Sequence, residues 1–477
     1  MMLKKLLCLA LLLCLAIPAA YAIEGGDNQV LPGTDVKLPA NIAKQWDDVT
    51  VTVVPYKNLD NGTQLSMVIC VPADNASENP AARPCIVYTR GSGLRAVTVN
   101  DFLGKPNDMQ LVRCVMLAKQ GYVAAAVEFR GYTTEPAGTG TFPAALQDVR
   151  AAVRFLKANA AEYGIDVEKF GVMGQSSGGY EAGILGVTNG AWAVEVIEDV
   201  KGGAMGELYF SEKEADEAIA AGKNVLKLDT AAGDISPEAV NFNSAVIAAV
   251  DYYGIAKIDE IGTGEFQHTL AANTAQEEVK FMTGSDTTEI WDTPYVHTAA
   301  NPFWYIDETD AKTLSMLFIH GLADTRVYPS NTENFFALAK ENNVKAYRFL
   351  IPGAGHGGDR FTEDDTNTLL LDFFAESLKG ISGNRVMVYP AEGGEVKISL
   401  NGEDVTDAPW KLSNLSASDK ITVEAVAGEG ATFNGLSIET IGDDYAVETK
   451  TVYTPVYEFT GEACVNVIPS FFVRPAR

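Results

Sequence analysis

Residues Phe170 to Leu185 read FGVMGQSSGGYEAGIL. A short apolar run, Phe170 to Met173, enters Gly174-Gln175-Ser176-Ser177-Gly178, and small, helix-compatible residues follow. The order is strand, abrupt turn, helix. A G-x-S-x-G pattern at such a turn has a steric reason. The bend forces its central residue into a strained conformation with an exposed side chain, and the residues two before and two after must be small to avoid a clash across it. Ser176 is therefore the candidate nucleophile. Ser177 stands at the helix start, where its backbone N–H points to the place an oxyanion would form. In a chain with 43 glycines the pattern alone is weak, and the strand-turn-helix setting gives it weight.

The flanking segments alternate in the same way. Pro84 to Gly91 (PCIVYTRG) is a buried-type strand that ends in a glycine loop, and Asp108 to Gly121 has helical spacing with a glycine stop. Tyr122 to Tyr132 (YVAAAVEFRGY) is another apolar strand. In the next segment Leu146, Val149, Val153 and Leu156 fall on one helical face. Farther on, Thr313 to Gly321 and Val344 to Gly355 supply two more strands, with a helix over Thr332 to Asn342 between them and another over Thr366 to Gly380. Strand–helix alternation predicts a doubly wound, mostly parallel α/β sheet with helices on both faces. It spans residues of about 49 to 380, beginning with a hairpin around Asn61-Gly62. The alternation breaks between about 205 and 298, where Ser211 and Glu214 fit a capping box. A helical insertion is expected there, either packing scaffold or a cap that shapes a pocket. Residues 23–48 read as an arm or linker. From Gly383 to Arg477 helical periodicity gives way to alternating strands and glycine turns, a separate all-β module.

A serine nucleophile needs a base, an orienting acid and oxyanion donors. The chain has four histidines: His268, His297, His320 and His356. For this kind of elbow the chain order is serine, acid, histidine. His356 lies in a glycine-rich loop just after a strand, PGAGHGG, and is the candidate base. Asp324 follows a strand and precedes His356, which makes it the candidate acid. His320 ends that strand and is read as shaping its own turn. His268 and His297 are surface or pocket residues. The loop after an early strand, Tyr88 to Arg95 (YTRGSGLR), offers Ser92 and Gly93 as further oxyanion donors, with Gly91 enabling the turn. This chemistry calls for no metal and no organic cofactor.

Composition limits the partners. The chain has 477 residues, 47% of them hydrophobic, enough for a large core and more than one domain. A formal net charge of −27 disfavours nucleic acid and anionic membranes. Residues 1–22 read as a signal peptide: Lys4 and Lys5, an apolar run from Leu6 to Ile17, then Ala20-Tyr21-Ala22 as cleavage site. The expected location is outside the cytoplasm: secreted, periplasmic or on the cell surface. No other stretch is apolar and long enough for a membrane span. Beyond the leader, Cys70, Cys85, Cys114 and Cys464 show no metal-like spacing.

Taken together, the segment from Ala145 to Gly179, ANPFWYI (Ala300 to Ile306), LFIHGLADTRVYP (Leu317 to Pro329) and IPGAGHGG (Ile351 to Gly358) resemble the α/β-hydrolase superfamily. The similarity is to its esterase branch, related to hormone-sensitive lipases and to feruloyl and acetyl-xylan esterases. The resemblance implies Ser176, Asp324 and His356 as the triad of a serine esterase. Its substrate would be a small-molecule or polysaccharide ester. One departure concerns the oxyanion loop: where the family has His-Gly-Gly-Gly, this chain has Arg90-Gly91-Ser92-Gly93. Backbone donors survive that change, and Arg90 offers a cation for an acidic group on a substrate. The C-terminal module loosely resembles bacterial surface repeats and would contact a polysaccharide or a cell surface. Two rival readings are a prolyl-oligopeptidase-like serine peptidase and a non-catalytic carbohydrate-binding protein with a relic hydrolase core.

Overall fold

Short apolar runs form the middle of a nine-stranded sheet in the computed structural model of the protein. The structure describes residues 21–23, 49–73, 82–99, 101, 109–197, 204–258, 280–282, 284, 298–306, 313–380, 383–389, 391, 393–406, 412–441 and 447–473. The strands up to the elbow are β1 (Tyr21–Ile23), β2 (Val49–Asn58), β3 (Gln64–Pro72), β4 (Arg83–Thr89), β5 (Val123–Val127) and β6 (Ile165–Gln175). Then come β7 (Ala193–Ile197), β8 (Ala204–Tyr209), β9 (Val225–Lys227), β10 (Ala248–Tyr252), β11 (Ser315–Gly321) and β12 (Lys345–Ile351). The sheet order is β1-β2-β3-β5-β4-β6-β10-β11-β12. The pairs from β5 to β12 are parallel, and β1, β2 and β3 add an antiparallel edge. Every residue of β5, β10 and β11 is buried, as expected for strands covered on both faces. Cys70 and Cys85 are fully buried in β3 and β4.

The covering helices are α1 (Met109–Lys119), α2 (Ala144–Ala158), the single turn α3 (Ala160–Tyr163), α4 (Ser177–Val187), α5 (Glu212–Ala220), α6 (Pro329–Glu341) and α7 (Asp364–Lys379). The expected apolar face of α2 is buried, and so are its Asp148, Arg150 and Arg154. Arg154 pairs with Asp229 and Asp234, so segments that follow the elbow cover the polar side of α2 as well.

The stretch 205–298, expected as a helical insertion, differs in two respects. Ala248–Tyr252 is β10, which pairs with β6 on one side and β11 on the other, at the centre of the main sheet. Ahead of it lies a three-stranded antiparallel sheet, order β8-β7-β9, carrying α5. Ser211 Oγ caps α5 by accepting the Glu214 N–H at 3.2 Å. Residues 259–279, 283 and 285–297, which include His268 and His297, lie outside the described residues. So do the expected leader and linker, apart from β1. In β1, Ala22 pairs with Thr52, and the expected cleavage bond falls inside that strand.

The C-terminal strands are β13 (Val386–Val388), β14 (Gly394–Leu400), β15 (Glu403–Asp404), β16 (Lys420–Ala427), β17 (Ala431–Ile441), β18 (Val447–Val452), β19 (Val456–Thr460) and β20 (Cys464–Val473). They form two four-stranded sheets, β13-β20-β17-β18 and β15-β14-β16-β19. Alternate residues of β16 (Ile421, Val423, Ala425) point into a core shared with Leu436, Ile438 and Val467 of the other sheet. Ion pairs fasten this unit to the edge of the main sheet. Glu376 of α7 takes both Lys345 of β12 and Arg385, and Lys340 of α6 meets Glu439 of β17 at 3.2 Å. The Tyr389 hydroxyl donates to the Arg348 carbonyl of edge strand β12.

Candidate active site

The strand ends define the site. Thr89 of β4 and Asp251 of β10 both lie opposite Gly174 of β6, so three parallel strands finish level at one rim. Clefts at the carboxyl ends of such strands are the usual ligand sites of open α/β sheets. Ser176 joins β6 to α4 with φ 55° and ψ −125°. That left-handed conformation is costly for a non-glycine residue. Two backbone hydrogen bonds hold it: Ser176 N–H to the Tyr252 carbonyl (2.8 Å), and Tyr180 N–H to the Ser176 carbonyl (2.9 Å). The glycine spacing is explained by distances. A Cβ on Gly174 would lie 2.1 Å from the Gly178 carbonyl oxygen, and one on Gly178 would lie 2.3 Å from the Thr89 carbonyl oxygen.

Ser176, His356 and Asp324, 180 and 32 residues apart along the chain, are brought together. Ser176 Oγ lies 2.8 Å from His356 Nε2, and His356 Nδ1 lies 2.7 Å from Asp324 Oδ2. The Asp324 carboxylate is buried and accepts four donors. Oδ1 takes the backbone N–H groups of Arg326 (2.8 Å) and Val327 (3.1 Å). Oδ2 takes His356 and, at 3.2 Å, Nε2 of the buried His320. Burial pushes the Asp324 carboxyl up, but the hydrogen bonds from His320 and His356 outweigh it and hold it well below the usual carboxylate range. His320 therefore does more than shape its turn. Its Nε2–H also donates to the Val327 carbonyl (2.9 Å), and its Nδ1 faces Thr332 Oγ1 (2.7 Å), which fixes the tautomer that points a proton at Asp324.

The three expected oxyanion donors sit differently. Ser177 is the first residue of α4, so its N–H has no acceptor within the helix and stays beside the serine. The Ser92 N–H is engaged by a neighbour, donating to Ser177 Oγ at 2.8 Å. Gly93, with φ 65°, lines the cavity over Ser176. Gly91 packs so tightly against the elbow that a Cβ there would meet the Gln175 carbonyl oxygen at 2.7 Å and Ser176 Cβ at 3.0 Å. Arg90 is turned to Asp101 (3.8 Å) and is not among the residues lining the cavity.

Several residues of the site carry no sequence signal. The cavity over Ser176 has a volume of about 530 Å³. Its walls include Arg95, Gln175, Tyr253 and Arg326. The Tyr253 ring stands 4.9 Å from the His356 ring, and its backbone holds φ 42°. Tyr253 follows β10, the strand that the sequence pattern hides, so nothing marked it beforehand. Gln175 is fixed by the Tyr88 hydroxyl (2.9 Å), which in turn accepts from Arg113 (3.3 Å).

A family model described as BD-FAE matches residues 69–338, more than half of the chain. Among solved structures, a truncated form of a carbohydrate esterase from gut microbiota is 22% identical over 69% of this chain and 96% of its own, with a TM-score of 0.50. The bifunctional GH43-CE protein of Bacteroides eggerthii is 25% identical over 65% of this chain and 36% of its own, with a TM-score of 0.48. Thermogutta terrifontis esterase 2, phosphonylated by sarin, is 21% identical over 68% of this chain and 94% of its own, also with a TM-score of 0.48. The first of these likenesses shows the α/β-hydrolase fold. Comparison with curated proteins returns no match.

Proposed function

The chain belongs to the BD-FAE family of α/β-hydrolase esterases, and from that membership we propose a secreted serine esterase that removes acyl or feruloyl groups from polysaccharides. Residues 49–380 are the catalytic domain in this proposal, and 383–477 an accessory β module that contacts a polysaccharide or cell surface. The observation that carries it is the hydrogen-bonded line Ser176 Oγ, His356, Asp324, with links of 2.8 and 2.7 Å. Support for export is the leader-like composition of residues 1–22.

Ser176 Oγ attacks the ester carbonyl carbon while His356 Nε2 takes its proton. The carbonyl π pair moves to oxygen, and Asp324 stabilises the resulting imidazolium. Ser177 N–H holds the oxyanion from the positive end of α4. The loop Arg90–Gly93 supplies the second donor, from Gly93 or from Ser92 once its bond to Ser177 Oγ is exchanged. The tetrahedral adduct collapses, the bond to the alcohol oxygen breaks, and that oxygen takes the proton from His356. A water then gives a proton to His356 and attacks the acyl-serine. Collapse returns the proton to Ser176 and releases the acid. The strain at Ser176 is a consequence of the elbow, and it leaves the hydroxyl exposed at the rim.

Fluorophosphonate labelling followed by peptide mass spectrometry tests the proposal. The adduct is expected on Ser176, with the label abolished in Ser176→Ala. A label on another residue, or none in a folded protein that hydrolyses 4-nitrophenyl acetate, refutes the serine mechanism.

A further inference from the structure

Resting on the polysaccharide esterase reading above, we propose that a second cavity on the same rim of the sheet binds a neutral sugar unit of the chain whose ester lies at Ser176. This cavity has a volume of about 500 Å³, and Lys57, Arg130 and Gln147 are among the residues that line it. Lys57 sits one residue before the end of β2, which pairs antiparallel with β3, itself antiparallel to β5. β2 therefore runs in the same direction as β5 and β6, and its carboxyl end reaches the rim that holds Ser176. Arg130 lies three residues beyond β5. The next residue, Gly131, packs on the loop that borders the catalytic cavity: a Cβ there would lie 2.2 Å from the Arg95 carbonyl carbon, and Arg95 lines that cavity. β5 and β2 are two and four strands from β6, which puts the second cavity roughly 10 to 19 Å to the side of the nucleophile at about 4.8 Å per strand.

The lining suits a partner that both donates and accepts. Lys57 is 2% exposed, and its Nζ stands 2.9 Å from Asp148 Oδ1 without hydrogen-bond geometry to any described residue. An ammonium has three N–H donors, and leaving them unmet in a buried position is costly. Arg130 shares Asp148 and gives one N–H to the Thr139 carbonyl (3.1 Å). Gln147 donates from Nε2 to the Lys227 carbonyl (3.1 Å), which leaves Oε1 as an acceptor. Asp60 adds an exposed carboxylate, and Leu59 and Pro136 add apolar surface. Hydroxyl groups on a ring with apolar C–H faces meet all of these needs. A free anion does not. Lys57 and Arg130 are matched in number by Asp148 and Asp60, which leaves no excess charge to attract one. An ester small enough to sit wholly over Ser176 does not reach this far, so the site acts on extended chains alone.

Calorimetric titration of the full-length Ser176→Ala chain tests the site, with the neutral hexasaccharides xylohexaose, mannohexaose and cellohexaose and the anionic hexagalacturonate as probes. At least one neutral sugar is expected to bind. Thr139→Trp and Ala232→Trp, each added to that background, put an indole into the cavity from exposed positions. Each is expected to weaken binding at least about tenfold, the equivalent of one or two lost hydrogen bonds. Lys57→Met removes the buried donors and should do the same, with the melting temperature reporting whether the protein still folds. In the active protein the two tryptophan variants should lower kcat/KM on the acetylated polymer of the sugar that binds by a similar factor, and leave hydrolysis of 4-nitrophenyl acetate at the wild-type level. The proposal is overturned if no neutral hexasaccharide binds, if hexagalacturonate alone binds, or if either tryptophan variant, or a folded Lys57→Met, keeps the native affinity. If 4-nitrophenyl acetate is hydrolysed but no acetylated polysaccharide is, the polysaccharide reading fails, while the titrations still judge the cavity.

Discussion

Asparagine at position 324 has one acceptor atom for two pairs of donors. In the native protein Oδ1 accepts two backbone N–H groups and Oδ2 accepts two imidazoles, His356 at 2.7 Å and His320 at 3.2 Å. If the amide oxygen of Asp324→Asn faces Arg326 and Val327, its NH2 faces two ring N–H groups. If it is flipped, the NH2 faces two backbone N–H groups. The backbone cannot turn away, so the first arrangement wins and His356 must change tautomer. Its Nδ1 then accepts from the amide, and its Nε2 carries a proton towards Ser176 and cannot take one. A triad base trapped in that tautomer loses about 10⁴ in kcat. At about 1.36 kcal/mol per tenfold this is about 5 kcal/mol of transition-state stabilisation. KM should move little, because Asp324 is not among the residues lining the cavity. Steady-state hydrolysis of 4-nitrophenyl acetate, with circular dichroism to verify the fold, reads both constants. A folded variant that loses less than tenfold in kcat, or whose loss sits in KM, refutes the reasoning.

Two further outcomes follow from groups behind the elbow. Glu181 is buried in α4 with Oε2 lacking a hydrogen-bond partner among the described residues, and burial, aided by the charge of Asp148 and opposed by Arg150, pushes its carboxyl from 4.5 to about 8. A raised folded value means a contribution to stability that is fully present below about 4.5 and is lost as pH rises through about 8. Glu181→Gln should therefore flatten the fall in stability between pH 5 and 9, by on the order of a few kcal/mol at about 1.36 kcal/mol per pH unit. Parallel denaturation profiles for the two proteins would sink that assignment. Gly178→Ala would put a methyl 2.3 Å from the Thr89 carbonyl oxygen and 2.6 Å from the Arg90 carbonyl carbon, both backbone atoms that cannot swing aside. It is expected to lower the melting temperature and to slow fluorophosphonate labelling at least about hundredfold, as an angstrom of misplacement at a reacting group does. Labelling at the native rate contradicts the steric account of the elbow.

What was legible in the chain was whatever depends on near neighbours. The elbow glycines are dictated by contacts within five residues and with one adjacent strand, so their spacing is visible. The α/β-hydrolase fold was legible from β4, β5, β6, β11 and β12, whose apolar runs alternate with helices. β10 was not. Its five residues follow a small antiparallel sheet rather than a crossover helix, and Asp251 interrupts the apolar run, so the stretch reads as part of an insertion. Losing β10 also hid Tyr253 and the backbone carbonyl that holds Ser176. The rest of the site is set by side-chain direction, which a pattern does not carry. Arg90 and Arg95 are five residues apart in one loop, yet only Arg95 lines the cavity. Ser92 N–H turns to Ser177 Oγ because that hydroxyl happens to lie 2.8 Å away. His320 reaches Asp324 through a four-residue turn that reads equally well as a simple strand end.

The place where the C-terminal unit is attached has a consequence for solution behaviour. β12 is the last strand of the main sheet, and its outer side would otherwise present unpaired backbone groups. Tyr389 occupies one of those carbonyls, and the Lys345–Glu376–Arg385 cluster places charge beside the same strand. The appended β sheets therefore act as a guard against edge-to-edge pairing between molecules. A chain ending after α7 would carry that border bare and would be open to concentration-dependent self-association.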